Sequence, residues 1–293
     1  MSALGRVSIL VVTHNSAGTL RQCLDAVTAD PGLEIVVVDN ASTDGSAGIA
    51  EGYDGVSVVR SDTNLGFGRG TNLAASRASR DLLLFLNPDC VASPAAINEL
   101  AIRLVANTEA GFAGPQIRKQ SGELDRACLR GDPDPLGALL YVTRVTRLFP
   151  NSPAVNRYNL THLDYDAEQE LLSGTAACLM VRAAAFHEVG GFDERFFMYG
   201  EDLDLCRNLR EAGHPGLYVP SARVLHVKGE SSRQRSGEML VEFHLAMWIY
   251  YLKHEASRRP APVNALVAAG ITSLGAARLA VNAVRADKRV SRR

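Results

Sequence analysis

The amino-acid sequence predicts an α/β fold built on a mostly parallel central sheet, with a helical extension at the C-terminal end. In the first half of the 293 residues, apolar runs alternate with helical patterns, which is the order that βα units give. The runs are apolar throughout, as expected of strands that have helices on both faces of the sheet. Two long helical patterns occupy the C-terminal part of the chain.

Four strands are predicted in the first half of the chain. They are the apolar or β-branched runs at residues 7–12, 34–38, 56–59 and 82–86. Leu20, Leu24 and Val27 follow the first run at helical spacing, and the turn at residues 42–45 begins the next helix.

A helix is predicted after these four strands, and the regular pattern is then lost. Ser93 followed by Pro94 is a typical helix start. Residues 119–170 show no hydrophobic periodicity, and we interpret them as a variable or mobile insertion that could contact an acceptor. Regular structure is predicted again as a strand, a helix and two short strands, at residues 179–181, 201–212, 217–219 and 224–225.

Two helical patterns, separated by Pro260 and Pro262, end the chain. The first covers residues 241–252. The second forms one apolar stripe with basic residues beside it, through Val267, Ile271, Leu274, Val281 and Val284. Such a helix could pack on the core or lie on a membrane surface. The expected organisation is a domain of residues 1–232 and a helical extension of residues 233–293.

The charge is distributed unevenly, although the net charge is only −1. From Ser257 onward there are eight basic residues and one acid, a net charge of +7, which leaves −8 for the rest. An acidic body argues against a nucleic-acid-binding protein, which needs a broad basic face. A basic tail suits contact with anionic lipid.

Cysteine usage and hydropathy exclude two further classes. The five cysteines are scattered and never form CxxC, so neither a disulfide framework nor a zinc knuckle is predicted. No stretch reaches about 18 uninterrupted apolar residues, so we expect no membrane-spanning helix. A cytoplasmic protein, peripheral on the inner face of the plasma membrane, is consistent with both observations.

Polar residues follow three of the predicted strands directly, at residues 13–15, 39–40 and 87–89. Because ligands of parallel α/β sheets bind beyond the carboxyl ends of the strands, this pattern predicts a ligand site. A dinucleotide site is not indicated, since no glycine follows the first strand directly and residues 66–70 lack the GxGxxG spacing. The sequence also has no P-loop and no GxSxG motif.

Five motifs in register resemble the inverting glycosyltransferases of family 2 with the GT-A fold, especially their bacterial rhamnosyltransferase-like branch. The motifs are VVTHN, VVVDNASTDG, NLGFGRGTN, NPD and GGFDERFFMYGEDLDL, at residues 11–15, 36–45, 64–72, 87–89 and 190–205. The resemblance covers about residues 7–232 and implies a nucleotide-sugar donor.

The resemblance assigns donor-binding roles to residues of the first three motifs and to Asn87. Asp39 would accept a hydrogen bond from the nucleoside base, although a carboxylate before Ser42 could equally cap the following helix. Glycine at position 66 would allow a close backbone approach to the sugar nucleotide. Arg69 could contact the diphosphate or remain solvated. The donor-binding set is Thr13, Asn15, Asp39, Asn64, Gly66, Phe67, Asn72 and Asn87.

Residues 87–89 occupy the place where this fold has its DxD motif, which holds Mg²⁺ or Mn²⁺ against the donor diphosphate. Here Asn87 replaces the first acid, so Asp89 is the one carboxylate of the motif. His226 matches a histidine that completes the metal site in such enzymes. A lone histidine can also be structural.

Glu201 and Asp202 match the acidic pair of the family, in which the aspartate is the catalytic base. Inverting transfer needs one base that takes the proton of the acceptor hydroxyl. Without the resemblance, two acids in the first turn of a helix are explained by the helix dipole. Asp204 is expected to support the site and not to act as the base.

The resemblance thus implies a metal-dependent hexosyltransferase of cell-envelope polysaccharide synthesis. dTDP-L-rhamnose is the favoured donor, and a glycan or polyprenyl-linked glycan is the expected acceptor. Two alternatives remain open: a transferase that uses a UDP-sugar, and an inactive nucleotide-sugar or glycan-binding protein on the same fold. Asn87 in place of an acid motivates the second, while the retained acidic pair argues against it.

Overall fold

The computed structural model describes residues 2–227 and 236–290, and the side chains of residues 236 and 283–290 are outside this description. The strands are β1 (Val7–Thr13), β2 (Glu34–Asn40), β3 (Val56–Ser61), β4 (Leu82–Leu86), β5 (Cys90–Val91), β6 (Phe112–Lys119), β7 (Gln169–Glu170), β8 (Cys178–Arg182) and β9 (Gly216–His226). The helices are α1 (Ala17–Val27), α2 (Ser46–Glu51), α3 (Phe67–Ala75), α4 (Pro94–Ala106), α5 (Pro135–Val142), α6 (Val145–Leu148), α7 (Ala183–Glu188), α8 (Glu201–Glu211), α9 (Ser236–His254) and α10 (Ala261–Val290).

The strands form a single curled sheet in the order β3-β2-β1-β4-β8-β6-β9-β5, and β7 pairs with β9. The four N-terminal strands are parallel to one another, and β6 is parallel to β9. β8 is antiparallel to both β4 and β6 and joins these two parallel groups. The sheet is therefore mostly parallel, as the sequence predicts.

The predicted strands of the first half are confirmed. Every residue of β1 and of β4 is buried, and β2 is buried from its second residue onward, whereas β3, at one end of the sheet, has no fully buried residue. Leu20, Leu24 and Val27 are buried residues of α1. α4 begins at Pro94, where the Ser93 side chain accepts a hydrogen bond from the amide of Ala96. All five cysteines are free and buried.

One prediction in the second half is wrong. The segments at residues 217–219 and 224–225 are not two short strands but parts of the single strand β9. The residues between the two segments contain Pro220 and break the apolar pattern. The pairing of β9 with β6 nevertheless continues on both sides of this break, with a shift in register between Pro115 and Gln116 of β6. β6 itself was not predicted.

Residues 119–170 combine core and surface structure. Cys128 and Leu129 are buried in the main hydrophobic core, and the side chain of Gln116 in β6 binds Asp166 (3.0 Å) and the carbonyl of Tyr165 (2.9 Å). α5 and α6 lie between these anchored ends and expose large apolar side chains, including Leu139 and Leu148.

A buried charge cluster attaches α9 to α8. Asp204 in α8 is fully buried and accepts hydrogen bonds from Lys253 (2.8 Å) and His254 (2.7 Å) at the end of α9. Arg207, one turn further along α8, donates to Glu255 at 3.1 Å. Because buried charges are strongly unfavourable without partners, these contacts fix α9 on α8.

α10 packs on α9 and leaves most of its surface exposed. Val267, Ile271 and Leu274 of the predicted stripe are half-buried, whereas Leu266 is 77% exposed. The segment Ala261–Asn282 has the length and mean hydropathy of a membrane-spanning helix, and only 6% of its apolar window is buried. Polar residues interrupt it, so it contains no unbroken apolar run. Three parts of the prediction lie outside this description: the side chain of Val284, the boundary at residue 232 and the last basic side chains of the tail.

Candidate functional site

The ends of β1 and β2 bring Thr13 and Asp39 side by side, since these residues are partners in the parallel ladder. Both are buried, and Thr13 Oγ1 and Asp39 Oδ1 have no hydrogen-bond partner in the protein. Asp39 Oδ2 accepts a hydrogen bond from the amide of Ser42 at 3.1 Å. One carboxylate oxygen therefore holds the turn before α2, and the other is left for a ligand. Buried polar atoms without partners are rare and mark binding sites.

Asn15 lies beside this pair and shapes the same turn. Its backbone is left-handed, with φ of 52°, and its side-chain oxygen accepts a hydrogen bond from the amide of Thr43 at 2.8 Å. The side-chain oxygen of Asn15 is thus used to close the strand-end loop.

Asn40, to which the sequence assigned no role, organises the next loop. Its side chain donates to the carbonyl of Gly66 (2.8 Å) and to Asn64 Oδ1 (3.1 Å), and it accepts from the amide of Leu65 (3.1 Å). Its place between the predicted ligand residue Asp39 and the turn was the signal that could have identified it.

Gly66 is required for a contact within the protein. Its φ is +82°, and a Cβ built there would lie 2.3 Å from the carbonyl oxygen of Phe197. The next amide, that of Phe67, donates to this same carbonyl at 3.0 Å. The backbone that approaches Gly66 in this structure belongs to the segment before α8, and its expected contact with a sugar nucleotide stays a prediction.

Asn72 also contacts this segment, and its predicted donor contact stays a prediction. Its side-chain nitrogen donates to the carbonyl of Phe192 and its oxygen accepts from the amide of the same residue, both at 2.9 Å. Arg69 is exposed and lies 3.4 Å from Glu194. Residues 64–72 thus hold the segment that precedes Glu201 and Asp202.

Asp89 and His226 come together where β5 pairs with the end of β9. His226 Nε2 lies 3.2 Å from Asp89 Oδ1, and His226 Nδ1 lies 3.2 Å from Oδ2 of the buried Asp125. A carboxylate on one ring nitrogen directs the other towards a metal ion in many proteins. Asp125 was not predicted from the sequence, since it lies in the segment interpreted as variable.

The donor set at this point fits a hard or borderline divalent cation. Atoms of Asp89, Cys90 and His226 that could bind a metal lie within 4.8 Å of one another. Burial raises the pKa of the Cys90 thiol well above its usual value, which disfavours the thiolate form that binds metals. The Asp89 carboxylate and the His226 imidazole are the other two candidate ligands.

Glu201 and Asp202 form the first turn of α8, which begins after Gly200 in a left-handed conformation. Asp202 Oδ2 accepts a hydrogen bond from Arg130 at 2.6 Å, and both side chains are largely buried. Glu201 is also buried, and its Oε2 has no partner in the protein. Burial, followed by the nearby charge of Asp202, raises the pKa of Glu201 to about 8.

The two neighbouring carboxyl groups therefore have different surroundings. Asp202 accepts a hydrogen bond from the cation Arg130, while Glu201 has no cation as a hydrogen-bond partner and burial raises its pKa. A raised pKa at one of two adjacent acids is a common feature of acid–base sites. Arg130 was not predicted, because no local pattern in residues 119–170 marks it.

A short segment before β8 connects the acidic pair with the candidate metal ligands. Arg130 donates to the carbonyl of Gly174 at 2.8 Å, and the amide of Asn87 donates to the carbonyl of Ala177 at 2.9 Å. Residues 174–177 thus lie between Asp202 and the segment that carries Asp89.

Comparison with known proteins agrees with this geometry. The family described as Glycosyl transferase family 2 matches residues 8–186. The N-acetylglucosaminyl-diphospho-decaprenol L-rhamnosyltransferase of Mycobacterium tuberculosis is 29% identical over 270 residues, 87% of this chain and 87% of the relative. Rhamnosyltransferase WbbL of Escherichia coli K12 is 26% identical over 258 residues, 84% of this chain and 92% of the relative. The resemblance to the rhamnosyltransferase-like branch is confirmed.

Solved structures support the fold. The mannosyltransferase PcManGT from Pyrobaculum calidifontis, in complex with GDP-Man and Mn²⁺, has a TM-score of 0.57 at 17% identity and covers 95% of this chain and 75% of that one. GalNAc-T7 with UDP, GalNAc and Mn²⁺ also has a TM-score of 0.57 at 17% identity, covering 84% and 48%. The predicted GT-A fold is confirmed.

Replacement of Gly66 by alanine should disrupt the contact with Phe197. The left-handed backbone and the 2.3 Å approach lead us to expect a loss of at least about 2 kcal/mol in unfolding free energy, measured by urea titration. Gly48→Ala is the control, because Gly48 is helical with nothing within 4 Å of the added Cβ; it should be neutral or stabilising. Equal stability of the two variants would contradict the role of Gly66.

The raised pKa of Glu201 predicts a pH-dependent difference between the wild type and Glu201→Gln. Because the folded protein holds this proton up to about pH 8 and the unfolded chain loses it near its ordinary value, the wild type should lose stability relative to the variant as the pH rises from 5 to 8. We expect a change on the order of 2 kcal/mol in urea unfolding. The exposed Glu109→Gln variant should show no such trend, and a flat difference for Glu201→Gln would mean that Glu201 is ionised in the folded protein.

Proposed function

Because the chain belongs to glycosyltransferase family 2, we propose that it is an inverting enzyme that transfers L-rhamnose from dTDP-L-rhamnose to a lipid-linked glycan. The similarity to two rhamnosyltransferases, one of them named for a diphospho-decaprenol acceptor, supports this choice of sugar and acceptor class. The observation that carries the proposal is the position of Asp202, which residues 174–177 connect to the Asp89 and His226 pair.

The nucleoside of the donor would bind at the ends of β1 and β2. Thr13 Oγ1 could donate a hydrogen bond to the base, and Asp39 Oδ1 could accept one from a base N–H. Both buried atoms would then have a hydrogen-bond partner. Asn15, Asn64 and Asn40 shape the loops around this position. Gly66, Phe67 and Asn72 act indirectly, since they hold the segment before α8.

Asp89 and His226 would hold the divalent cation, with Asp125 fixing the histidine ring. A cation bound there would neutralise the negative charge that grows on the departing diphosphate. Asn87 would contribute an uncharged amide, so the site depends on the histidine for its second strong ligand.

Asp202 would act as the base. Its carboxylate would take the proton of the acceptor hydroxyl while the hydroxyl oxygen forms a bond to C1 of the sugar. The bond from C1 to the diphosphate breaks on the opposite face, so the configuration at C1 inverts. Arg130 would orient the carboxylate, and the raised pKa of Glu201 would oppose a second negative charge beside it. A binding protein without catalytic activity would not need this arrangement.

We also propose that the enzyme works at the cytoplasmic face of the membrane. The exposed apolar surface of α10 and the basic tail support attachment there, because anionic lipids attract basic segments next to apolar helices.

Replacement of Asp202 by asparagine should remove the base and leave the donor site intact. We expect transfer to fall by at least about a hundredfold, whereas dTDP binding, measured by thermal shift, should change less than about threefold. The exposed Asp62→Asn variant is the control for both measurements. Transfer by Asp202→Asn at a rate near that of the wild type would exclude Asp202 as the base.

A nucleotide-release screen tests the donor and the metal together. The purified protein is incubated without acceptor with dTDP-rhamnose, UDP-GlcNAc, UDP-galactose or GDP-mannose, each with Mn²⁺, Mg²⁺ or EDTA. We expect slow release from dTDP-rhamnose alone, its loss in EDTA, and an increase of at least about tenfold in the Mn²⁺ requirement of His226→Ala. Release from a UDP-sugar would favour the alternative donor, and unchanged metal dependence of the variant would exclude His226 as a ligand.

A further inference from the structure

A pocket of about 270 Å³, separate from the candidate site, lies between α5, α6 and α10. Its lining residues lie outside the five motifs in the sequence. Its lining combines apolar and basic side chains: Tyr141, Val142, Arg144, Thr146, Arg147, Leu274 and Arg278. The segment interpreted as a variable insertion and the C-terminal helix thus form one concave surface.

The charge of this pocket is purely positive. Arg144, Arg147 and Arg278 line it without any acidic residue, and none of the three forms an ion pair within the part of the chain that the structure describes. Arg278 instead lies over the ring of Phe243 at 5.9 Å. Three exposed guanidinium groups line one small pocket, so an anion that contacts more than one of them would be attracted to it.

The backbone at Arg144 supports a functional role for this pocket. Arg144 has a φ of 63°, a left-handed conformation that costs a residue with a Cβ roughly 1 kcal/mol. The conformation places Arg144 at the sharp turn between α5 and α6, on the pocket. Glycine would relieve the strain, and arginine is there instead.

An exposed apolar surface lies on the helices that form the pocket. Leu148, the neighbour in sequence of the pocket residue Arg147, is 74% exposed. Large apolar side chains on the same helices and the loop after α6 are also exposed, namely Leu136, Leu139, Tyr141, Val142 and Phe149. A ligand that carries both phosphate and a long hydrocarbon chain matches this combination of charge and hydrophobicity.

The pocket is connected to the candidate base by α5. Arg130, which binds Asp202, precedes the first residue of α5 by five positions, and the pocket lies at the other end of this eight-residue helix. Eight helical residues span about 12 Å. A glycan at Asp202 could therefore be joined to a phosphate group held at the other end of α5.

We propose that this pocket binds the diphosphate of a polyprenyl-linked acceptor, with the apolar surface on the hydrocarbon chain. The inference rests on the proposed function in taking the acceptor to be lipid-linked. Three clustered arginines match the two adjacent phosphates of a diphosphate better than the singly charged phosphate of a phospholipid, whose binding would need only a spread basic face.

The test measures binding of the full chain to three kinds of phosphatidylcholine vesicles by flotation. One kind is neutral, one contains a polyprenyl diphosphate, and one contains phosphatidylglycerol at equal surface charge. The wild type should bind the diphosphate vesicles at least about tenfold more tightly than the phosphatidylglycerol vesicles. The triple variant Arg144→Gln, Arg147→Gln and Arg278→Gln should lose roughly a hundredfold in binding to the former, since each arginine contributes about fivefold near an anionic surface.

A control with the same net charge carries Arg21→Gln, Arg77→Gln and Arg223→Gln, all exposed residues outside the pocket; it should retain the preference. The double variant Arg147→Gln and Arg278→Gln avoids the strained backbone of Arg144 and should lose most of the preference while remaining folded. Equal binding of the wild type to both anionic vesicles, or an unchanged preference in the triple variant, overturns the proposal.

Donor turnover separates this proposal from the proposed function. Release of nucleotide from dTDP-rhamnose without acceptor should be the same in the wild type and in the triple variant, because the pocket does not contact the donor residues. Absence of release from every donor, together with a preserved preference for diphosphate vesicles, would count against the transferase assignment and leave the pocket assigned.

Discussion

The contact between residues 64–72 and the segment before α8 is the constraint on which the site depends. Gly66 admits the carbonyl of Phe197 where no side chain would fit, and Asn72 binds the backbone of Phe192 on both its polar atoms. Because Asn40 in turn holds Gly66, the strand end that would bind the nucleoside also sets the start of α8. The ends of β1 and β2 and the segment before α8 are thus fixed to each other by hydrogen bonds to backbone groups.

Electrostatics then determines how the acidic residues of α8 differ. Asp202 and Asp204 are both buried, and each has a cationic partner, Arg130 for the first and Lys253 for the second. Glu201 has no such hydrogen-bond partner, and its pKa is raised. Three acids in four residues therefore have three different surroundings: one is paired with an arginine of the loop before α5, one is part of the cluster that attaches α9, and one is buried without a cationic partner.

The sequence was sufficient to predict elements whose burial imposes an apolar pattern. It was insufficient for elements and residues whose partners are distant in the sequence. The strands at residues 7–12 and 82–86 were predictable because strands covered on both faces must be apolar throughout. β6 was missed because Gly114, Pro115 and Gln116 interrupt its pattern, and it is a strand because β8 and β9 pair with its two edges.

The same reasoning applies to the site. The resemblance identified Asp89, Asp202 and His226, since these residues lie in or beside recognisable motifs. It could not identify Arg130 or Asp125, whose importance arises only when the chain folds and brings them to Asp202 and His226. Such partners have no local signal, because their neighbours in sequence have no part in the chemistry.

The cluster around Asp204 has a consequence for where the smallest independently folding unit of this protein ends. A fragment that stops at residue 232 would contain every motif but would lack Lys253, His254 and Glu255. Asp204 would then lose both Lys253 and His254, and Arg207 would keep only Glu211 as a charged partner. The face of α8 that now packs on α9 would become exposed to water, next to Glu201 and Asp202. The first helix of the extension is therefore part of the structure that holds α8, and a fragment that keeps α8 in place must extend past Glu255.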